Sequence, residues 1–165
     1  MRVIAVDPGY DRVGIAVLEK DENGEHLLFS ECFTTDREKD LGERIFSATE
    51  RIRTLIEEYK PSYFLIEKLF FSKNTKTALA VSEARGSFIY LAHLLNVPVY
   101  EFTPNQIKLA LTGNGSATKE EMISFIPKIL ALPEKNYLDD EIDAIAIALT
   151  FYSQANLLTK YEGIE

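Results

Sequence analysis

The sequence has few of the residues that form disulfides or bind soft metal ions. It contains one cysteine and two histidines, so no internal disulfide can form. Cys32, in the strand-like segment FSECF, is interpreted as a small buried side chain rather than a nucleophile. Long apolar runs are also missing: the run before Asp7 is too short for a signal peptide, and no segment approaches a membrane span. These absences predict a cytoplasmic protein that does not contact a membrane.

Positive charge is scarce overall but is unevenly distributed. The formal net charge is −8, which at first sight argues against nucleic acid, because lysine and arginine supply most of the affinity for a phosphate backbone. Residues 68–135, however, carry 8 basic and 5 acidic side chains, whereas residues 1–67 carry 9 and 15 and residues 136–165 carry 1 and 6. A basic surface is therefore compatible with an acidic molecule.

Length and composition predict one globular domain spanning residues 1–165. The chain is 46% hydrophobic, which is enough to bury a sizeable core. No internal repeat, low-complexity tract or linker divides it.

The hydrophobic periodicity predicts a meander followed by alternating helices and strands. Three strands are predicted at RVIAVD, VGIAVLEK and HLLFSECFT, the last two joined by the turn-prone segment DENGE. Helices are predicted over residues 40–59 and 75–95, further strands at YFLIE and VPVYEF, and helical segments at TPNQIKLAL, KEEMISFIPKIL and DDEIDAIAIALTFYSQ. This order predicts an α/β fold with a mixed five-stranded sheet, three antiparallel strands followed by parallel additions, flanked by helices. It resembles the order of ribonuclease H-like domains.

Four acidic side chains stand at the ends of these predicted elements. Asp7 ends the first strand before Pro8-Gly9, where glycine is free to adopt a positive φ. Glu67 ends the fourth strand. Asp140 and Asp143 are three residues apart, so both project from one face of the last helix.

Each acid also has an ordinary structural interpretation. Asp-Pro-Gly is a common turn, and a terminal acid often ends an apolar strand at the solvent. Acids near a helix N-terminus gain about 0.3–1 kcal/mol from the helix dipole, and Asp139 is a candidate cap. Two adjacent acids on one face nevertheless repel each other, and one cap would suffice.

If the first and fourth strands are neighbours, the four acids share one pocket and require a counter-ion. Like charges about 4 Å apart repel by about 4 kcal/mol at an effective dielectric constant near 20. Oxygen ligands favour Mg²⁺ or Mn²⁺ over zinc, and His26 and His93 lie elsewhere in the pattern. Two such ions about 3.5–4 Å apart can promote phosphodiester cleavage. The acids therefore predict a site for two Mg²⁺ ions, with Mn²⁺ as an alternative.

Several segments in order resemble the RuvC family of Holliday junction resolvases, which are dimeric nucleases that cut four-way DNA junctions symmetrically. They are IAVDPGYDRVGIAV, YFLIEKLFFSKNTKTAL, EARG, QIK followed by TGNGSATKEEM, and LDDEIDAIAIALT. The resemblance covers about the first 155 residues. It implies that Asp7, Glu67, Asp140 and Asp143 are the catalytic, metal-binding acids.

The resemblance also implies a set of DNA-contacting residues. Lys108 and Lys119 match family lysines near the scissile phosphate, with Lys119 assisting catalysis, although solvated helix lysines are the plain alternative. Phe70 matches an aromatic residue that stacks on unpaired bases, where each stacked base contributes about 1–3 kcal/mol. Of Phe70 and its neighbour Phe71, one is expected to face inward and one outward. The nearby Lys73, Asn74 and Lys76 are predicted phosphate contacts, whereas Arg85 serves either the homodimer or the DNA.

These observations predict a homodimeric, divalent-metal-dependent Holliday junction resolvase that acts in DNA recombination and repair beside a branch-migration helicase. The overall acidity and the absence of a basic tail depart from expectation for a DNA-binding protein. Three alternatives remain open at this point. They are a ribonuclease H-like nuclease acting on RNA or other branched DNA, an actin-like ATPase, which the short chain and the missing phosphate-binding glycine loop disfavour, and a non-catalytic junction-binding scaffold.

Overall fold

The computed structural model describes residues 1–69 and 75–162, with side chains for 1–69 and 77–154. Ten helices and strands follow each other in the described part of the chain. The strands are β1 (Arg2–Asp7), β2 (Arg12–Asp21), β3 (Gly24–Thr34), β4 (Tyr63–Glu67) and β5 (Val99–Phe102); the helices are α1 (Leu41–Tyr59), α2 (Thr75–Leu94), α3 (Pro104–Thr112), α4 (Lys119–Ile129) and α5 (Asp139–Glu162). None of the helices in these ranges combines the length and apolar character that a membrane span requires.

The five strands form one mixed sheet in the order β3-β2-β1-β4-β5. β1, β2 and β3 pair in antiparallel fashion, and β4 and β5 are added in parallel on the other side of β1. The predicted α/β fold and its sheet are confirmed, and so is the expectation that the first and fourth strands are neighbours. Because β1 and β4 run in parallel, their carboxyl ends, which carry Asp7 and Glu67, lie at the same edge of the sheet.

Alternating side chains of the strands divide the core between the two faces of the sheet. Val3 and Ala5 of β1 pack on the face covered by α3, α4 and α5, whereas Ile4 and Val6 pack on the face covered by α1 and α2. Asp7 continues the first series by the two-residue period of a strand. Its side chain therefore points to the face that α5 covers.

Capping boxes fix the starts of three helices. Asp40, Thr103 and Thr118 accept a hydrogen bond from the backbone N–H three residues ahead, and the side chain at that position bonds back to the cap. This arrangement satisfies backbone donors that a helix start leaves free. The cap at Thr118 makes Lys119 the first residue of α4.

Some details of the local structure differ from the sequence prediction. Gly9 does not adopt a positive φ; glycine is needed there because a Cβ would lie 2.0 Å from the carbonyl oxygen of Arg12. The fifth strand begins at Val99 rather than at residue 97, since Pro98 has no N–H to donate to a sheet. Asp139 is the first residue of α5 and not its cap, because the first helical N–H groups bond to the carbonyl of Leu138.

Candidate active site

A row of paired residues across the sheet forms the floor of the candidate site. Asp7 of β1 pairs with Gly14 of β2, and Gly14 pairs with Cys32 of β3. On the other side, Val6 pairs with Ile66, so the next residue, Glu67, comes level with Asp7. The row thus carries two carboxylates and a thiol on the face covered by α5.

The first turn of α5 lies directly on this row. A Cβ on Gly14 would lie 1.8 Å from the backbone carbonyl oxygen of Asp140, so only glycine allows the helix to approach β2 this closely. The contact brings Asp140 and Asp143 over the ends of β1 and β4. The four predicted acids therefore meet in one region, as their spacing suggested.

An ion pair with a buried acid holds the segment before α5 against the sheet. Glu141 is buried, and Lys135 forms an ion pair with its Oε1. The Nζ of Lys135 also donates to the backbone carbonyl of Ser30, 3.2 Å away on β3. A buried carboxylate is tolerated only when it is paired in this way, and here the pair anchors the start of α5 to the sheet.

Two cations of the chain contact Asp140 and Asp143 of α5. The Nζ of Lys119 donates to Oδ2 of Asp143 over 2.7 Å and lies 3.7 Å from Oδ2 of Asp139. The Nη2 of Arg12 lies 2.7 Å from Oδ2 of Asp140. Both pairs bring positive charge into a region of concentrated negative charge.

The electrostatics of the site favour protonation of its acids. Removal from water raises the pKa of Asp7 well above its usual range, and the charges of Asp143, Glu67 and Asp140 raise it further, against a smaller lowering by Lys119. Burial, followed by the charge of Asp143, raises the pKa of Glu67 to about 7. Burial contributes most to both shifts, and among the described residues the charge of Lys119 only partly offsets the repulsion between the acids.

The pKa values of Asp143 and Lys119 are also shifted by opposing effects of burial and charge. Burial raises the pKa of Asp143, although its hydrogen bond from Lys119 opposes this. For Lys119, burial lowers the pKa, but the hydrogen bond to Asp143 and the surrounding carboxylates raise it more, so the net shift is upward. Lys119 thus stays a cation at neutral pH.

A cavity of about 230 Å³ opens beside these acids. Its polar wall is formed by Glu67, Asp143, Lys119 and Lys108, and its apolar wall by Pro104, Ile107, Met122 and Ala146. The predicted phosphate contacts Lys108 and Lys119 therefore border the same space as two of the acids. Such a space beside paired acids and lysines suits an anionic group whose charge changes during a reaction.

The donor chemistry fits a hard divalent cation, because all four acids offer carboxylate oxygens. Their present arrangement does not complete a metal site: within the described ranges, no three histidine, cysteine, aspartate or glutamate side chains are placed to hold one ion. Lys119 and Arg12 each contact one carboxylate oxygen, of Asp143 and Asp140 respectively.

The other predicted DNA contacts are placed only in part. Phe70, Phe71, Lys73 and Asn74 lie outside the described residues, and of Lys76 only the backbone, in α2, is described. These assignments remain predictions.

Arg85 has an intramolecular role that the sequence did not reveal. Its Nε donates to the backbone carbonyl of Glu67 over 2.9 Å, and its guanidinium forms an ion pair with Glu101 of β5. It thereby holds the end of β4, which carries Glu67, against α2 and β5. Neither of the two roles considered for it, in the homodimer or on DNA, is needed to explain its presence.

Three residues of the site escaped the sequence analysis: Arg12, Gly14 and Cys32. The thiol of Cys32 donates to Oδ2 of Asp140 over 3.6 Å, and burial, with the charge of Asp140, raises its pKa to about 11. Cys32 is half-buried and protonated at neutral pH, which agrees with the view that it is no nucleophile. The sequence feature that could have revealed them is the meander, because pairing β1, β2 and β3 in register places positions 7, 14 and 32 side by side.

The sheet order, with carboxylates at the ends of β1 and β4 and at the start of α5, defines a ribonuclease H-like nuclease domain. The family profile described as crossover junction endodeoxyribonuclease RuvC matches residues 3–151. The chain therefore belongs to the RuvC family of crossover junction endodeoxyribonucleases, which are hydrolases acting on Holliday junctions. The resemblance seen in the motifs is confirmed.

Individual relatives and solved structures agree with this membership. A RuvC from Petrotoga mobilis is 41% identical over 148 residues, covering 90% of this chain and 91% of the relative. A RuvC from Brevibacillus brevis is 36% identical over 165 residues and covers 100% and 99%. The structure of Thermus thermophilus RuvC in complex with a Holliday junction substrate has a TM-score of 0.88 at 32% identity, covering 96% of this chain and 97% of that one. The yeast mitochondrial resolvase Ydc2, with a TM-score of 0.73 at 13% identity, shares the fold.

Proposed function

We propose that residues 1–165 form a single nuclease domain that resolves four-way DNA junctions by metal-dependent hydrolysis, through the carboxylates of Asp7, Glu67, Asp140 and Asp143. The observation that carries the proposal is the convergence of four carboxylates where β1 and β4 end and the first turn of α5 packs on Gly14; burial, and then the charges of Asp143, Glu67 and Asp140, raise the pKa of Asp7 there. A group of acids this close is stable in the ionised form only when a cation balances it. Family membership supports the choice of substrate.

The same four residues would hold the metal. The family generally uses a divalent metal ion, and we propose Mg²⁺, with Mn²⁺ as a substitute, at two ions per site, since oxygen-only donors select hard cations. When bound, such ions activate water and neutralise charge on the scissile phosphate. Asp7 is the central ligand in this proposal, because its charge interacts with those of the other three acids.

The chain's own cations act on the phosphate. Lys119 remains protonated beside Asp143 and is placed to neutralise negative charge that develops on the phosphodiester. Lys108, on the same cavity wall, contacts a neighbouring phosphate. Outside the described residues, Phe70 stacks on a junction base and Lys73 and Asn74 contact the backbone, together with Lys76. Hydrolysis leaves 5'-phosphate and 3'-hydroxyl ends.

Symmetric cutting requires two copies of the chain. A groove between α1 and α2 exposes large apolar side chains, with Phe46 66% and Tyr90 68% exposed. Such a surface on a monomer is unfavourable and is typical of an interface. We propose that a second copy covers this groove, because a two-fold dimer matches the two-fold symmetry of a four-way junction.

The cellular setting in the proposal follows from the family. The dimer acts in the cytoplasm, in recombination and repair, and receives its junctions from a branch-migration helicase complex.

The proposal is tested with synthetic mobile junctions, with and without Mg²⁺, by mapping both nicks. Glu67→Gln, which keeps shape but removes the charge, is expected to reduce cleavage on the order of 10²-fold or more. Glu57→Gln, an exposed glutamate of α1, serves as the matched control and should cleave normally. A normal rate for Glu67→Gln would refute the role of Glu67, and a strong preference for an RNA–DNA hybrid over the junction would refute the substrate.

A further inference from the structure

The two oxygens of Asp140 have different surroundings. The Nη2 of Arg12 lies 2.7 Å from Oδ2, and the thiol of Cys32 donates to the same oxygen over 3.6 Å. No described residue donates a hydrogen bond to Oδ1. Two groups from neighbouring strands thus converge on one oxygen of Asp140.

Asp143 shows the same division. The Nζ of Lys119 donates to its Oδ2 over 2.7 Å, and again the described side chains place no hydrogen bond on Oδ1. Asp140 and Asp143 therefore each have one oxygen held by a cation of the chain. Repetition of the pattern at two residues, with two different cations, indicates an orienting arrangement rather than a single chance contact.

The fold fixes the positions of the groups around Asp140. Arg12 stands two residues before Gly14 on β2, so both face α5, and Cys32 pairs with Gly14 across the sheet. The carbonyl of Asp140 lies against Gly14. Backbone packing thus places the Arg12 side chain within reach of Asp140.

Stability alone does not account for the Arg12–Asp140 pair. The Arg12 side chain is 46% exposed and that of Asp140 is 21% exposed, and pairs open to water contribute little to folding because solvent screens them. A carboxylate that ligates a metal, in contrast, is commonly oriented by an outer partner on its second oxygen. Arg12 and Cys32 occupy that position.

We propose that Arg12 is a positioning residue that, with Cys32, holds Oδ2 of Asp140 and presents Oδ1 to the divalent ion of the active site. This inference rests on the proposed function, because it needs Asp140 to be a ligand. It contrasts with a role in which Arg12 competes with the ion for Asp140. The two roles predict opposite changes in metal affinity when Arg12 is replaced.

Titration of the full-length chain with Mn²⁺ in the absence of DNA, followed by calorimetry or by the electron paramagnetic resonance of free Mn²⁺, separates them. Arg12→Gln is expected to weaken Mn²⁺ binding by roughly 10- to 100-fold, and Arg12→Lys to recover part of the loss. Unchanged binding, or tighter binding as competition demands, would overturn the proposal. Omitting DNA removes any effect of Arg12 on a phosphate.

Two controls make the outcome specific. Arg51→Gln removes another partly exposed arginine–carboxylate pair, between α1 and β3, where Nε lies 2.6 Å from Oε1 of Glu31, and should leave Mn²⁺ affinity unchanged. Asp140→Asn tests the underlying assignment: if it fails to weaken Mn²⁺ binding, the proposed metal site is wrong. If Asp140→Asn weakens binding and Arg12→Gln does not, only the positioning role fails. Melting curves recorded in EDTA show whether each variant is folded.

Discussion

At the scale of one residue, Glu67 shows that a negative charge is unfavourable in the site. It ends an apolar strand, and burial together with Asp143 raises its pKa to about 7 from the ordinary value of 4.5. The folded chain therefore favours the protonated form. A cation that binds the carboxylate reverses this preference, so metal binding and proton release are coupled.

The raised pKa predicts how the stability of the metal-free protein depends on pH. Since the folded-state pKa lies above that of the unfolded chain, the stabilising contribution is complete below the unfolded value and is lost as the pH rises through about 7. The loss amounts to about 3 kcal/mol at most. Melting temperatures measured in EDTA should therefore be lower at about pH 8 than at about pH 5, and Mg²⁺ should restore most of the difference at the higher pH.

Glu67→Gln supplies the control for this effect. The amide cannot ionise, so the variant should lose less stability over the same pH interval, although Asp7, with its pKa raised in the same direction, preserves part of the slope. An identical pH dependence in the two proteins would contradict the role given to Glu67.

The sequence predicts the acids better than it predicts their partners. Asp7 and Glu67 could be found because each ends an apolar strand, and Asp140 and Asp143 because three residues bring side chains onto one helix face. Arg12 and Arg85 could not, since their contacts join residues far apart in the chain. Finding them requires the strand register and the helix positions, which local sequence patterns do not predict.

At the scale of elements, the contact between β2 and α5 positions the site. The two elements touch at Gly14, where a side chain would collide with the carbonyl of Asp140. The meander and the last helix were both predicted from periodicity. The short distance between β2 and α5 was not predicted, because a glycine in a strand has several explanations.

Gly14→Ala is expected to displace the start of α5 and to move Asp140 and Asp143 away from the sheet. The cost in the free energy of unfolding should be about 3 kcal/mol, as for an overpacked core, and junction cleavage should fall more steeply than stability. Urea denaturation and cleavage assays measure the two effects.

Gly115→Ala is the matched control for this variant. A Cβ there would lie 3.4 Å from the carbonyl oxygen of Asn105, which is an ordinary contact, so stability and cleavage should both stay close to those of the parent chain. If Gly14→Ala behaved in the same way, the close approach of α5 would not be required for function.

At the scale of the whole molecule, net negative charge and a DNA substrate are compatible because the excess of acids lies in residues 1–67 and 136–165, whereas residues 68–135 carry more basic than acidic side chains. The surface between α1 and α2 has a different character, with exposed Phe46 and Tyr90. These rings lie on the face of the sheet opposite to the carboxylates. A dimer formed there leaves both active sites accessible.

The double substitution of Phe46 and Tyr90 by glutamate should therefore convert a dimer into a monomer. Buried charges of one sign would face each other across the two-fold interface, which is strongly unfavourable. Analytical ultracentrifugation measures the change in mass, and junction mapping should show single nicks in place of paired ones. Leu109→Glu, at a residue that is 55% exposed on α3, is the control and should remain dimeric.

The position of α5 in the chain has a consequence for biosynthesis. Asp7 leaves the ribosome early, whereas Asp140 and Asp143 emerge only after all five strands have been translated. A nascent polypeptide that lacks α5 thus carries Asp7 and Glu67 but not Asp140 and Asp143. With the proposed four-acid site, nuclease activity arises only after α5 has been synthesised and has packed on the sheet.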